Sequence, residues 1–201
     1  MSSALRAGRT LLAAVVIMIA LTVVLGVVYP LVITGIGQLA FPWQANGSVL
    51  HDKQGAAVGS ALLGQSFVDA DGDPLPRYFQ SRPSEAADGY AGTSSGGSNL
   101  GPESATLIAE IRQRTTQIAT FNGVPESEVP ADAVTASASG LDPDISPAYA
   151  QIQVARVARA RGIPVAEVAA LVRRYTQGLD AAPLGEGTVN VVELNLALDE
   201  R

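Results

Sequence analysis

Hydrophobic positions run without a charged interruption from Thr10 to Gln38, and the centre of that stretch, Leu11–Val28, reads LLAAVVIMIALTVVLGVV. At about 1.5 Å of rise per residue, some 20 apolar residues cross a hydrocarbon core of about 30 Å. The pattern therefore predicts one transmembrane helix over 10–37, and no second stretch of comparable length follows. Thr22, Gly26, Pro30 and Thr34 recur at i+4 steps, so they form one slowly drifting stripe while Leu, Val and Ile cover the other sides. Such a stripe lets a partner helix come close, because association in lipid relies on packing at small residues. Pro30 has no N–H to give the Gly26 carbonyl and its ring crowds that turn, which predicts a kink between the two. Phe41 and Trp43 fall where interfacial aromatic anchors occur.

Beyond the span the hydrophobic period changes. Ser48–His51 and Ala56–Phe67 read as two strands joined by the turn Asp52-Lys53-Gln54-Gly55, with Tyr78-Phe79 as a short third. Gly101-Pro102-Glu103 opens a helix with proline first and an acid in its first turn; Leu107, Ile108, Ile111 and Ile118 keep one apolar face until Asn122-Gly123. Ser146 N-caps a second helix that starts at Pro147 and stops at Gly162, with Arg156, Arg159 and Arg161 gathered near its C-terminal end, where cations are favoured. Pro164 begins a third, with Val165, Val168, Ala169, Val172 and Tyr175 on one face and its stop at Gly178. Thr188–Leu194 is a β-rich stretch before the apolar-polar tail Asn195–Arg201. Strands first and helices later give an α+β class: one N-terminal transmembrane helix followed by a single mixed α+β extracytoplasmic domain.

The side of the membrane follows from charge. Arg6 and Arg9 precede the span and the next basic residue is Lys53, so the positive-inside bias keeps the tail 1–9 cytoplasmic and places 38–201 outside. A cleaved leader is the competing reading, with Gly35-Ile36-Gly37 as a small-x-small site, but its apolar stretch exceeds the 7–15 residues of a leader core. All 19 acidic residues and 11 of the 13 basic ones lie in 38–201, a net charge of −8. That sign disfavours nucleic acid, keeps the domain soluble and raises the local concentration of cations.

Several chemistries lack their residues. His51 is the only histidine, so a two-histidine metal site is excluded and a hydrolytic triad would have to use that one; a strand-surface role is its plainer reading. Lys53 is the only lysine and follows no phosphate-binding glycine pattern; paired with a serine it could serve a tethered hydrolase. Asp69, Asp71 and Asp73 resemble the start of a calcium loop, yet Pro74 and Gln80 stand where glycine and a bidentate glutamate belong, so they read as a solvated turn. No metal ligand set is assigned. Two loops remain. Ser94–Pro102 leads towards a helix N-terminus, where glycines let backbone N–H groups converge on an anion or simply supply turns. Val134–Pro147 packs small residues and two X-Pro turns as docking loops do, and its Asp142 and Asp144 fit turn formation before acid-base work.

An ordered set of motifs then makes a family resemblance: Gln44-Ala45-Asn46-Gly47-Ser48 just past the span, Gly59-Ser60, Gly64-Gln65-Ser66-Phe67, Tyr78-Phe79, Arg82-Pro83-Ser84, Ser95–Pro102, Thr135–Pro147, Val189-Asn190-Val191 and Leu194–Asp199. Together they resemble the KdpC subunit family of the bacterial potassium-transporting P-type ATPase, the Kdp complex. The match departs at Asp144, where that family usually has histidine, and at Ala138, where it usually has glycine. The resemblance implies an accessory, non-catalytic subunit in the bacterial inner membrane, with a channel-like pore subunit and a P-type ATP-hydrolysing subunit as partners. It implies no cofactor of its own, ATP and potassium being handled by those partners, and a role as a catalytic chaperone that raises ATP affinity. The candidate packing face is Thr22, Gly26, Pro30 and Thr34. The candidate docking or anion-contact residues are Gln44, Asn46, Gly47, Ser95, Gly96, Gly97, Ser98, Asn99, Ser139, Gly140, Asp142 and Ser146. An independent membrane-anchored anion- or ligand-binding module is the alternative.

Overall fold

The computed structural model describes residues 3–178 and 186–201. The start of the N-terminal tail and the side chain of Arg6 lie outside the described residues. The chain divides into two units, Met1–Ser48 and Val49–Arg201.

In the first unit the apolar pattern forms one near-continuous helical run: α1 (Ser3–Val23), a π-helical turn (Val24–Val28) and α2 (Tyr29–Ala40), closed by the short α3 (Pro42–Ala45). The stretch Ala7–Ala40 is long and apolar enough to cross a membrane. The expected irregularity beside Pro30 takes the form of that π turn, in which the Tyr29 N–H reaches back to the Val24 carbonyl. The widened ring relieves the proline's clash with the preceding turn.

The second unit begins with a hairpin of β1 (Val49–His51) and β2 (Ala57–Ser60), antiparallel with an irregular register between Leu50 and His51. The second strand is thus far shorter than the expected Ala56–Phe67. Its continuation is loop, with Gln65 turning back so that its Nε2 donates to the Val58 carbonyl at 2.8 Å. A long loop region follows up to α4 (Ala105–Asn122). This helix starts later than the expected Gly101-Pro102-Glu103, because the Ser104 hydroxyl accepts the Leu107 N–H and serves as N-cap. Ile111 and Ile118 pack on the core, but Ile108 is exposed, so the apolar face is narrower than the sequence suggested.

After a 3-10 turn at Glu126–Glu128 come α5 (Ala131–Val134), β3 (Asp144–Ile145), α6 (Pro147–Arg161), α7 (Val165–Tyr175), β4 (Thr176–Gln177), β5 (Thr188–Asn190) and α8 (Val191–Asp199). The second helix matches expectation at both ends, with Ser146 as N-cap and Gly162 left-handed beyond its last turn. The third stops at Tyr175 and not at Gly178, because Thr176 and Gln177 pair with Val189 and Thr188 in a three-stranded sheet of order β3-β5-β4. The β-rich run Thr188–Leu194 is only half strand. Asn190 accepts the Glu193 N–H and caps a helix through what had read as a tail. The core gathers Tyr149, Val154 and Val157 of α6, Val168 and Val172 of α7, and Val191, Leu194 and Leu198 of α8 around Phe79 and Ile145. Burying each such side chain is worth about 1.5–3 kcal/mol.

Tyr78-Phe79 is not a strand. The Phe79 N–H and carbonyl both bond to the Asn195 side-chain amide at 2.9 Å, and Gln80 bonds in the same way to Gln153 at 2.7 and 3.1 Å. Two buried amides thus replace a neighbouring strand. Arg156, expected near the surface end of α6, is also buried. Its guanidinium reaches Asn122 Oδ1, the carbonyls of Pro76 and Tyr78, and Gln153 Oε1, and lies 4.3 Å from the Phe121 ring centroid. Burial lowers its pKa to about 10, which still leaves it charged at neutral pH.

Candidate functional site

The motif loops meet in the second unit. The Ser139 carbonyl accepts both the Gly96 N–H at 2.9 Å and the Ser95 hydroxyl at 3.0 Å, which clamps the Ser94–Pro102 loop onto Val134–Pro147. The Gly140 carbonyl accepts the Ser84 hydroxyl at 2.6 Å, and its N–H donates to Ser137 Oγ at 2.9 Å. Gly140 has a φ of +66°, and a Cβ there would sit 2.7 Å from the Gly96 carbonyl oxygen and 2.8 Å from the Ala86 nitrogen. Only glycine suits both the conformation and the space. Gly97 is held by proximity too, since a Cβ would come 3.1 Å from the Ala138 carbonyl oxygen.

A second layer of contacts supports this junction. Arg82 pairs with Asp142 at 2.9 Å, and the other carboxylate oxygen of Asp142 accepts the Asp144 N–H at 3.0 Å. The Tyr90 hydroxyl donates to the Arg82 carbonyl at 2.8 Å, and burial pushes its pKa up to about 12. Ala87 and Tyr90 both have positive φ, of 48° and 56°. That strain is held in place by the Ser84 hydroxyl, which also accepts the N–H groups of Ala86 and Tyr90. Ser146 bonds to Asp132 through N–H and hydroxyl at 2.7 and 2.8 Å and caps α6 from there.

The remaining candidates stand apart from this junction. Ser98 Oγ accepts the Leu100 N–H at 3.4 Å, and the Asn99 amide folds onto the Gly97 carbonyl at 3.1 Å. The loop ends before the N-terminus of α4, so its glycines do not form the phosphate cradle of a strand-loop-helix unit. In the first unit Asn46 bonds to Gln38 and to the Pro42 carbonyl, while the Gly47 N–H donates to the Gln44 carbonyl at 3.1 Å. The Gln-Ala-Asn-Gly motif is therefore a helix stop. Thr22, Gly26, Pro30 and Thr34 lie exposed along the apolar helix, Thr22 donating to the Met18 carbonyl and a Cβ at Gly26 meeting open space.

The other chemistry-bearing side chains have structural occupations. Asp69 Oδ1 accepts the N–H groups of Asp71 and Asp73 at 3.0 and 2.9 Å, which makes the acidic run a side-chain-closed turn. Lys53 donates to the Glu200 carbonyl, and His51 is an exposed strand residue. Among the described residues no three histidine, aspartate or glutamate side chains gather as metal ligands. Asp144 is the most perturbed carboxylate in the junction, raised first by burial and then by Asp142; Glu193 is raised by burial and by Asp144. Sequence reasoning missed the bracing roles of Ser84, Tyr90 and Asp132. Ser84 sits in a quoted motif, whereas nothing local marks Tyr90 or Asp132 as partners of residues so distant in sequence.

Fold and site define a class: a single apolar helix of spanning length carrying a small α+β domain whose motif residues brace loops against each other. The family model described as KdpC, K+-transporting ATPase, c chain, matches residues 11–200. The chain is 52% identical over 187 residues to the potassium-transporting ATPase KdpC subunit of Gemmatimonas aurantiaca, covering 92% of this chain and 90% of that one. It is 49% identical to the KdpC subunit of Caulobacter vibrioides, covering 90% and 87%, and 46% identical to that of Mycobacterium tuberculosis, covering 95% and 98%. The chain belongs to the KdpC family of K+-transporting ATPase subunits.

Proposed function

We propose that this chain is the accessory, non-catalytic subunit of an ATP-driven high-affinity potassium uptake pump, holding together a channel-like pore subunit and a P-type ATP-hydrolysing subunit. Membership of the KdpC family over nearly the whole chain supports the reading. The observation that carries it is how the motif side chains are used: Ser95, Ser84, Ser139, Gly140, Arg82 and Asp142 are engaged with one another in a braced junction. A rigid surface of this kind suits docking.

In this proposal residues 1–9 are cytoplasmic, 10–37 span the bacterial inner membrane and 38–201 lie on the outer face. Arg6 and Arg9 set against the distant Lys53 motivate that orientation. The stripe Thr22, Gly26, Pro30 and Thr34 packs on a partner helix, and the acidic domain stands over the outer mouth of the pore. Potassium and ATP are handled by the partner subunits, and the chain carries no cofactor. It acts as a catalytic chaperone, raising the ATP affinity of the hydrolysing subunit through the span, with no contact between the Ser/Gly loop and nucleotide.

Tagged chain extracted in mild detergent should bring down two larger membrane subunits, while the isolated chain neither hydrolyses ATP nor binds it at micromolar concentration. Recovery of the chain alone from cells expressing the whole complex refutes the assignment. Protease added to intact spheroplasts should digest 38–201; protection until lysis reverses the orientation.

A further inference from the structure

Away from the motif junction, three guanidiniums converge in a domain that is otherwise strongly acidic. Arg77, Arg161 and Arg201 line a cleft of about 350 Å³ together with Ala160, Ile163 and Leu198, and no carboxylate lines it. The acids that order these arginines stand behind them. One oxygen of Asp199 takes Arg161 at 2.8 Å and Arg77 at 3.4 Å, its other oxygen takes the Tyr78 hydroxyl at 2.9 Å, and Glu167 pairs with Arg201. A single carboxylate therefore serves two cations. The Tyr78 ring lies 5.2 Å from one guanidinium and 5.0 Å from the other, which fixes both planes.

Arg161 is the anchor of the group, its side chain only 9% exposed. Its Nε and one Nη donate to the carbonyls of Arg77 and Leu198 at 2.7 and 2.9 Å. With the Asp199 contact this engages three of its five N–H donors, and Arg77 engages one of five. Several oriented donors with uncompensated charge thus face one cleft. Planar guanidiniums match the oxygen pairs of phosphate better than any other side chain does.

We propose that this cleft is a binding site for a phosphate-type oxyanion, presented either as free phosphate or as a phospholipid headgroup. The site is separate from the Ser/Gly loop and does not depend on the pump assignment. Arg77 is the residue to remove, because its side chain is 55% exposed and holds no part of the core.

The test is calorimetry on the full chain in an uncharged detergent, titrated with inorganic phosphate and, in parallel, with dihexanoyl phosphatidate. Wild type should bind at one saturable site. Arg77→Gln and Arg201→Gln should each weaken binding about tenfold, the scale of one charge-assisted hydrogen bond. Arg112→Gln, on the exposed face of α4, should change nothing. Phosphatidate binding about tenfold tighter than phosphate assigns the site to a headgroup, and equal or weaker binding assigns it to the free anion. Absence of saturable binding of both probes, or identical binding by Arg77→Gln and Arg201→Gln, overturns the proposal.

Discussion

Asn195→Leu isolates the device that replaces a strand in this fold. Asn195 is 2% exposed, and its amide makes two bonds of 2.9 Å to the backbone of Phe79, a residue with no exposure at all. Leucine keeps roughly the same volume but leaves one buried N–H and one buried carbonyl without partners. Each such group costs about 1–3 kcal/mol, and the added apolar contact returns about 1 kcal/mol. The net loss is therefore about 1–5 kcal/mol, centred near 3 kcal/mol. At about 2–4 °C per kcal/mol for a chain of this size, the melting temperature should fall by roughly 6–12 °C. Urea denaturation of the full chain in detergent, followed by the near-ultraviolet circular dichroism of its tyrosines, reads the change at the core, where Tyr149 is 3% exposed. The midpoint should drop with an unchanged slope. A loss below about 0.5 kcal/mol, under the lowest cost of orphaning the pair, would falsify the role given to the amide.

Gly140→Ala should cost about 1–3 kcal/mol through its positive φ and its collision with backbone atoms of Gly96 and Ala86. Hydrogen exchange should then quicken in 85–100, and unchanged protection there sinks the account of the braced junction. The raised pKa values of Asp144 and Glu193 mean that the folded state holds protons the unfolded chain has already released. Stability from this corner therefore grows as pH falls from neutral through the raised values and is lost as pH rises through them. Asp144→Asn should flatten that dependence in urea midpoints measured between about pH 7 and pH 5, and an equal slope in both proteins refutes the assignment. Gly26→Leu should cost about 1–2 kcal/mol of helix association and lower recovery of the assembled complex from detergent, whereas unchanged recovery and pump activity mean that the stripe is not an interface.

The spanning helix was fully legible in the sequence because its cause is local: a long apolar run must form its own hydrogen bonds in lipid. The same holds for α6, whose Ser146-Pro147 start and Gly162 stop act within one turn of each end. Where the sequence misled, a distant residue had taken over a backbone group. Tyr78-Phe79 has the composition of a strand, but its hydrogen bonds go to Asn195 and Gln153, more than 70 positions away. Thr188–Leu194 is uniformly β-prone, yet Asn190 turns it into a helix because Leu194 and Leu198 must both reach the core. The motif loops could be recognised as a set, but not that Ser95 and Gly96 would clamp Ser139, nor that three arginines far apart in sequence would share one cleft. Periodicity and capping report which groups lie on one face or end one element. The partner across the fold depends on which surfaces burial brings together, and that is settled only when the whole domain packs.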